Sequence, residues 1–298
     1  MMAQYLADGI VLGATLALGA IGLTLTYNIL RFANFAHGEF LTFGAYFALV
    51  VVGSFAGGSS ALGPFTFGWS FVGALVVALA LTALLALVLD WLLYRPLRKS
   101  DVAVALVIAS FGASLMLRNL IVFFWGSQPE YYTRTIAIAR PLLPGVRLSA
   151  NEVFVVVLTA VLMVALHLFL TRTRLGQQMR AVSDNPSLAQ VTDIDVRRIV
   201  RWVWIIGGGL AAIGGVMFGL TVQVSPEMGF TLILPMFAAA ILGGIGSVYG
   251  AVLGGLVIGI AQSLSVPLIG PEYKPAVAFM LMFLILLFHP TGILGGKT

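Results

Sequence analysis

Between residues 9 and 30 the chain carries no charged side chain, and long apolar runs of this kind recur along its whole length. Residues 40–71 and 228–271 are also uncharged, and residues 75–93, 102–125, 153–170, 202–224 and 275–288 hold at most one charge each. A membrane-crossing helix needs about 20 predominantly apolar residues. Hydrophobic residues make up 60% of the chain, charged residues 9%, and the mean hydropathy is +1.06. Soluble domains are about 25% charged, and a soluble fold of this length has no interior large enough to hide so much apolar surface. The fold class expected is therefore all-α: a polytopic transmembrane helical bundle with eight or nine membrane segments, forming one domain over residues 1–298.

Two segments do not fit a simple span. The 40–71 run is too long for one helix, and the GGSS sequence at 57–60 together with Pro64 breaks it. The 228–250 piece is under 20 residues before its glycine cluster, which fits either a tilted span or a re-entrant half-helix. Residues 126–150, with Pro129, Pro141, Pro144 and paired Tyr131 and Tyr132, read as a loop.

One long polar interruption stands out. Residues 171–201 hold nine of the 27 charged residues, six Arg and three Asp. Orientation follows from such loops, because Lys and Arg are enriched on the cytoplasmic side. Loops 31–39, 95–101 and 171–201 and the C-terminus share one side and carry 11 positive residues, against four on the other side. This predicts a cytoplasmic 171–201 loop, an outside N-terminus and a cytoplasmic C-terminus. Arg118 falls near the far interface, where it is expected to snorkel. The net charge of +5 is spread over these short loops, which argues against nucleic-acid binding. The first residues lack a cationic n-region, so the N-terminus is read as retained.

Catalytic chemistry finds no support. The absence of Cys excludes disulfides, thiolate metal sites and a Cys nucleophile. His37 and Glu39 form an H-x-E pair without further ligands, so no metal site is expected. The tail GILGGKT at 292–298 imitates a phosphate loop but has Thr291 where the first Gly is required. No cofactor is expected on this chain. Deep charges are nearly absent, which disfavours a stand-alone secondary transporter or channel, since such proteins normally carry intramembrane ionisable coupling sites.

Three groups of residues carry functional expectations. Within 171–201, Ser183, Asp184, Asn185 and Pro186 form a helix-start signal, predicting a short helix over 186–191. Leu175, Met179, Val182, Leu188, Val191 and Ile194 recur at helical spacing and require a protein surface to cover them. Asn34, His37 and Glu39 lie between two apolar segments with almost no room for a loop. They read either as an interfacial turn capping the next helix or as a lining or gating element. Finally, glycines fall four apart at Gly9/Gly13, Gly215/Gly219, Gly246/Gly250/Gly254 and Gly255/Gly259, a spacing that lets helix backbones approach closely.

These blocks resemble one family. NFAHGEF at 34–40 with GAY at 44–46, GQQMRA at 176–181 continuing through Asp184, Ala189 and Ile194, and GGIGSVYGAVLGG at 243–255 are similar to the H-type permease subunits of ABC importers for branched-chain amino acids. The resemblance covers nearly the whole chain. It implies a bacterial inner-membrane complex of two permeases, the second a paralogous M-type chain, two cytoplasmic ATPases that use the ATP, and an extracytoplasmic binding protein. It implies that Gly176, Met179, Arg180, Ala181, Asp184, Leu188, Ala189 and Ile194 form the ATPase-coupling loop. The translocation path or gate would then involve Asn34, His37, Glu39, Gly243, Gly244 and Gly246. Related permeases carry urea, amides or aromatic acids, which is the alternative cargo. Two positions depart from the family pattern: Asp193 stands where Gly is usual, and Tyr249 where Pro is usual.

Overall fold

The computed structural model describes residues 2–54, 61–98, 103–133, 135, 137–289 and 291–294. The 57–60 break, Lys99, Asp101, Arg134 and the tail from Gly295 onward lie outside the described residues. Eleven helices and one two-stranded hairpin make up the described chain. In order they are α1 (Met2–Leu30), α2 (His37–Ser54), α3 (Trp69–Leu97), α4 (Ala103–Trp125), β1 (Arg140–Leu143), β2 (Val146–Leu148), α5 (Ala150–Arg172), α6 (Arg174–Asp184), α7 (Pro186–Val191), α8 (Val196–Thr221), α9 (Met228–Gly243), α10 (Val248–Ile269) and α11 (Lys274–Phe288). Seven helices are long and apolar enough to cross a membrane, counting α11 with the 3-10 turn before it, while α9 is shorter. The protein is thus a polytopic all-α membrane bundle.

Burial divides the helices into inner and outer sets. α1 and the apolar part of α8 beyond Arg201 are buried along most of their length, as expected of segments apolar on every face. α4, α5 and α11 turn large apolar side chains such as Phe123, Val161 and Phe283 outward, where lipid rather than water accepts them. The inner contacts depend on glycine. A Cβ on Gly13 would lie 2.8 Å from the Cα of Leu256, and one on Gly255 2.8 Å from the Cα of Ala17, so α1 and α10 cross with backbones touching. Gly215 meets the Leu41 backbone and Gly44 meets Ala212, which seats α2 on α8 in the same way.

Several expected boundaries shift. α3 begins at Trp69, inside the 40–71 run and ahead of the start expected at residue 75, and passes through a π-helical turn at Asp90–Tyr94. Such turns often mark functional positions, and this one places Asp90 in an ion pair with Arg98. α8 starts at Val196 because Asp195 caps it, accepting from Arg198 N at 3.1 Å. The 126–150 loop contains an antiparallel hairpin turned by Gly145 at φ 82°. From the same loop Tyr132 reaches inward and donates to the carbonyl of Ala45 at 3.0 Å. Burial pushes its phenol well above the usual range, so it remains a donor.

Arg118 does not snorkel alone. It pairs with Glu227, and its guanidinium lies 5.3 Å from the Phe230 ring centroid. Glu39 and Asp90 are buried within the bundle.

Candidate functional site

Two helices built from the polar interruption form the first part of the site. Thr173 ends α5 and caps α6, its hydroxyl accepting from Gly176 N at 3.0 Å. Gly176 rests directly on the backbone of Phe169 and Leu170, where no side chain fits. Met179 and Val182 face the interior of the chain, whereas Arg180, Ala181 and Asp184 are exposed. Asn185 then caps α7, accepting from Leu188 N at 2.9 Å, with Pro186 in the first turn. Ala189 is buried at 3% exposure, while Leu188 and Val191 are 60% and 80% exposed. The apolar set expected to seek an outside surface therefore splits. Met179 and Val182 are covered by this chain, Leu175 and Ile194 are half-covered, and Leu188 and Val191 remain free.

The departure at Asp193 has a conformational basis. Its φ is +63°, and Ile194 N returns to the carbonyl of Ala189 at 3.2 Å to close the end of α7. The left-handed region is open to glycine and is tolerated by Asp and Asn better than by other residues. Asp193 thus keeps the turn that a Gly would make.

The second and third sequence blocks meet the end of α1 at the arginine-rich end of the bundle. Arg31, which ends α1 at φ 58°, donates from Nη2 to the carbonyl of Ser183 at 2.6 Å. Asn28 donates to the carbonyl of Gly246 at 2.6 Å. A cavity of 310 Å³ opens between them, bounded by Asn28, Arg180, Ser183, Asp184, Gly246 and Tyr249. Gly243 lies against the Gly250 carbonyl, and Gly244 and Gly246 take φ near 105°, at 106° and 104°. Tyr249 bonds through its hydroxyl to His167 Nδ1 at 2.6 Å, tying α10 to α5. Thus Gly243, Gly244 and Gly246 are not remote from the coupling residues; they form a turn packed beside α6.

Asn34, His37 and Glu39 lie elsewhere, inside the bundle. All three are at most 1% exposed, so they are not an interfacial turn. His37 Nε2 donates to the Gly19 carbonyl at 3.0 Å, near the middle of α1. Glu39 Oε1 accepts from Ser114 Oγ at 3.1 Å, at the middle of α4. Asn34 Oδ1 accepts from the Tyr94 hydroxyl at 2.9 Å, and Tyr94 stacks on Trp204 with ring centroids 5.2 Å apart. After α1 the chain turns back into the bundle and α2 starts at mid-depth. Asn34 Nδ2, His37 Nδ1 and Glu39 Oε2 have no hydrogen-bond partner among the described residues.

Sequence reasoning did not single out the partners of this turn. Ser110, Ser114 and Arg118 repeat every four residues and so share one face of α4. Ser110 Oγ accepts from Phe35 N at 3.1 Å, Ser114 holds Glu39, and Arg118 holds Glu227. The i, i+4, i+8 polar stripe on an apolar helix was the available signal.

The sequence has counterparts among known proteins. Residues 5–286 match the family model for the permease component of branched-chain amino acid transport systems. The chain is 34% identical, over 98% of its length and 95% of the relative's, to the high-affinity branched-chain amino acid transport system permease protein BraD of Pseudomonas aeruginosa. The same identity and coverage hold for the permease protein LivH of Escherichia coli. A probable branched-chain amino acid transport permease protein of Methanocaldococcus jannaschii is 30% identical over 98% of this chain and 92% of its own. No solved structure matches. With the match running almost end to end, the chain belongs to the branched-chain amino acid transport permease family.

Proposed function

We propose that this chain is one of two permease subunits of an ATP-binding-cassette importer that moves branched-chain amino acids inward. Separate ATPase subunits hydrolyse the ATP, and this chain binds no cofactor of its own. The arginine-rich end faces the cytoplasm, consistent with the Lys and Arg asymmetry of the loops. The opposite end, with the β1–β2 hairpin, receives an extracytoplasmic binding protein. The second permease is a paralogous M-type chain.

The observation that carries this reading is the division of labour on α7. Ala189 anchors the helix to its own chain, while Leu188 and Val191 stand free in water at the tip of the protein. Exposed aliphatic side chains on a helix anchored beneath suit a knob that enters a groove on another protein. Arg180, Ala181 and Asp184 extend the same surface. Force on α7 would pass through Ser183 to Arg31 at the end of α1, and across the 310 Å³ cavity to the Gly243–Gly246 turn between α9 and α10. Gly243, Gly244 and Gly246 supply the close contacts on which those helices slide. Asn34, His37 and Glu39 act as a buried gate element deeper in the bundle.

The test is co-purification with the cognate ATPases. Leu188→Asp combined with Val191→Asp should abolish ATPase capture and uptake while leaving the thermal stability of the permease pair unchanged. Retained capture together with retained ATP-driven uptake would overturn the reading.

A further inference from the structure

Arg118 lies seven residues short of Trp125, the end of α4, which places it about 10 Å along the helix from that end at 1.5 Å per residue. Its partner Glu227 directly precedes α9. The pair is not enclosed: the Glu227 side chain is 65% exposed and that of Arg118 26%. An open charge at this depth cannot face hydrocarbon and must face water or protein. The side of the bundle shared by α4 and α9 therefore borders water or another protein rather than lipid.

Phe230 lies under the guanidinium at 5.3 Å. Two turns back along α4, Phe111 contacts Phe35, which also contacts Phe237, with ring centroids 6.0 and 5.2 Å apart. Phe111, Leu115 and Phe230 are exposed on the same side. One cation, one anion and an aromatic floor stand together.

This is the complement of a zwitterionic α-amino acid with an aliphatic side chain. We propose that Arg118 and Glu227 bind the carboxylate and the ammonium of the cargo, while Phe111 and Phe230 receive its aliphatic side chain. Without cargo the two residues neutralise each other. With cargo the zwitterion inserts between them, and two charge-assisted hydrogen bonds replace one ion pair at constant net charge. No uncompensated charge arises in either state, which keeps desolvation small. A cargo with a charged side chain would set that charge on the phenyl rings and be rejected.

The inference rests on the importer reading, and its test separates the two. The chain contains no Cys, so single thiols can be introduced directly. Leu115→Cys, one turn from Arg118, is placed in the complete transporter reconstituted in proteoliposomes with its binding protein. A membrane-impermeant thiol reagent should label Leu115→Cys but not Val161→Cys on the lipid-facing side of α5. Leucine should slow the labelling several-fold. Adding Glu227→Gln should raise the leucine concentration needed for that protection. Absence of labelling overturns the proposal, as does labelling that leucine does not slow, the result expected if the pair only seals a contact with the second permease. Intact ATP-driven uptake by the same preparation would leave the importer reading standing.

Discussion

Arg31 and Ser183, 152 residues apart in sequence, are joined by a 2.6 Å bond from the guanidinium to the backbone carbonyl. The donor ends α1, the most buried helix, and the acceptor lies in the last turn of α6. A cation at a helix C-terminus also meets the negative end of its dipole. The bond links α6 directly to the end of α1.

Arg31→Gln should therefore loosen transmission without unfolding the protein. Hydrogen bonds from charged donors contribute about 1.5–3 kcal/mol, so coupling should fall by about tenfold or more. The measurement is the ratio of amino acid imported to ATP hydrolysed in proteoliposomes. ATPase activity should persist while import drops.

The Asp193 turn gives a second prediction. At φ 63° glycine has no steric penalty, and a β-branched residue has a large one. Asp193→Gly should stay within about 0.5 kcal/mol of the parent, because relief of strain is offset by the extra freedom of the unfolded chain. Asp193→Val should cost about 1–3 kcal/mol. Thermal unfolding of the assembled complex in detergent would read both. Equal stability of the Val variant would show that the turn relaxes without cost.

Glycine contacts separate into two classes that predict opposite outcomes. Gly13→Leu drives a side chain into the α10 backbone, with even the Cβ 2.8 Å from the Leu256 Cα, and backbone cannot move aside as a flexible side chain can. Overpacking of this kind costs about 1–3 kcal/mol or more, and the variant should fail to accumulate in the membrane. A Cβ at Gly73 meets nothing within 4 Å. Gly73→Ala should gain about 0.5–1 kcal/mol of helix stability, measurable as a higher melting temperature.

Local chemistry explains which features could be read from the chain. The helix at 186–191 was legible because its start signal, Asn185 followed by Pro186, is complete within a few residues. The backbone crossings of α1 and α10 were foreshadowed by the Gly9/Gly13 and Gly255/Gly259 spacings. The depth of the Asn34–Glu39 turn was not legible, because it depends on Ser114 and Gly19, 75 and 18 residues away. The Arg118–Glu227 pair spans 109 residues, so the polar stripe on α4 marks Arg118 but not its partner. The β1–β2 hairpin did have one, the Pro144–Gly145 turn dipeptide, but its flanking strands are too short to show alternation.

Tyr249 offers the last prediction, because the family pattern places Pro there. Tyr249 is the second residue of α10, where its N–H needs no intrahelical acceptor and Pro is compatible with the helix. What this chain gains from Tyr is the 2.6 Å hydroxyl bond to His167 and a ring contact at 5.6 Å, both linking α10 to α5. Tyr249→Phe keeps the ring and should cost about 1 kcal/mol, a typical net hydrogen bond. Tyr249→Pro loses the ring as well, yet should still fold, with α10 intact by circular dichroism and a stability loss only moderately larger than that of the Phe variant. A collapse of helix content in Tyr249→Pro would mean that the first turn of α10 depends on the Tyr249 N–H. His167→Ala, which also loses the ring contact, should cost somewhat more than Tyr249→Phe, and the double variant should cost less than the sum of the two, since both remove the same bond.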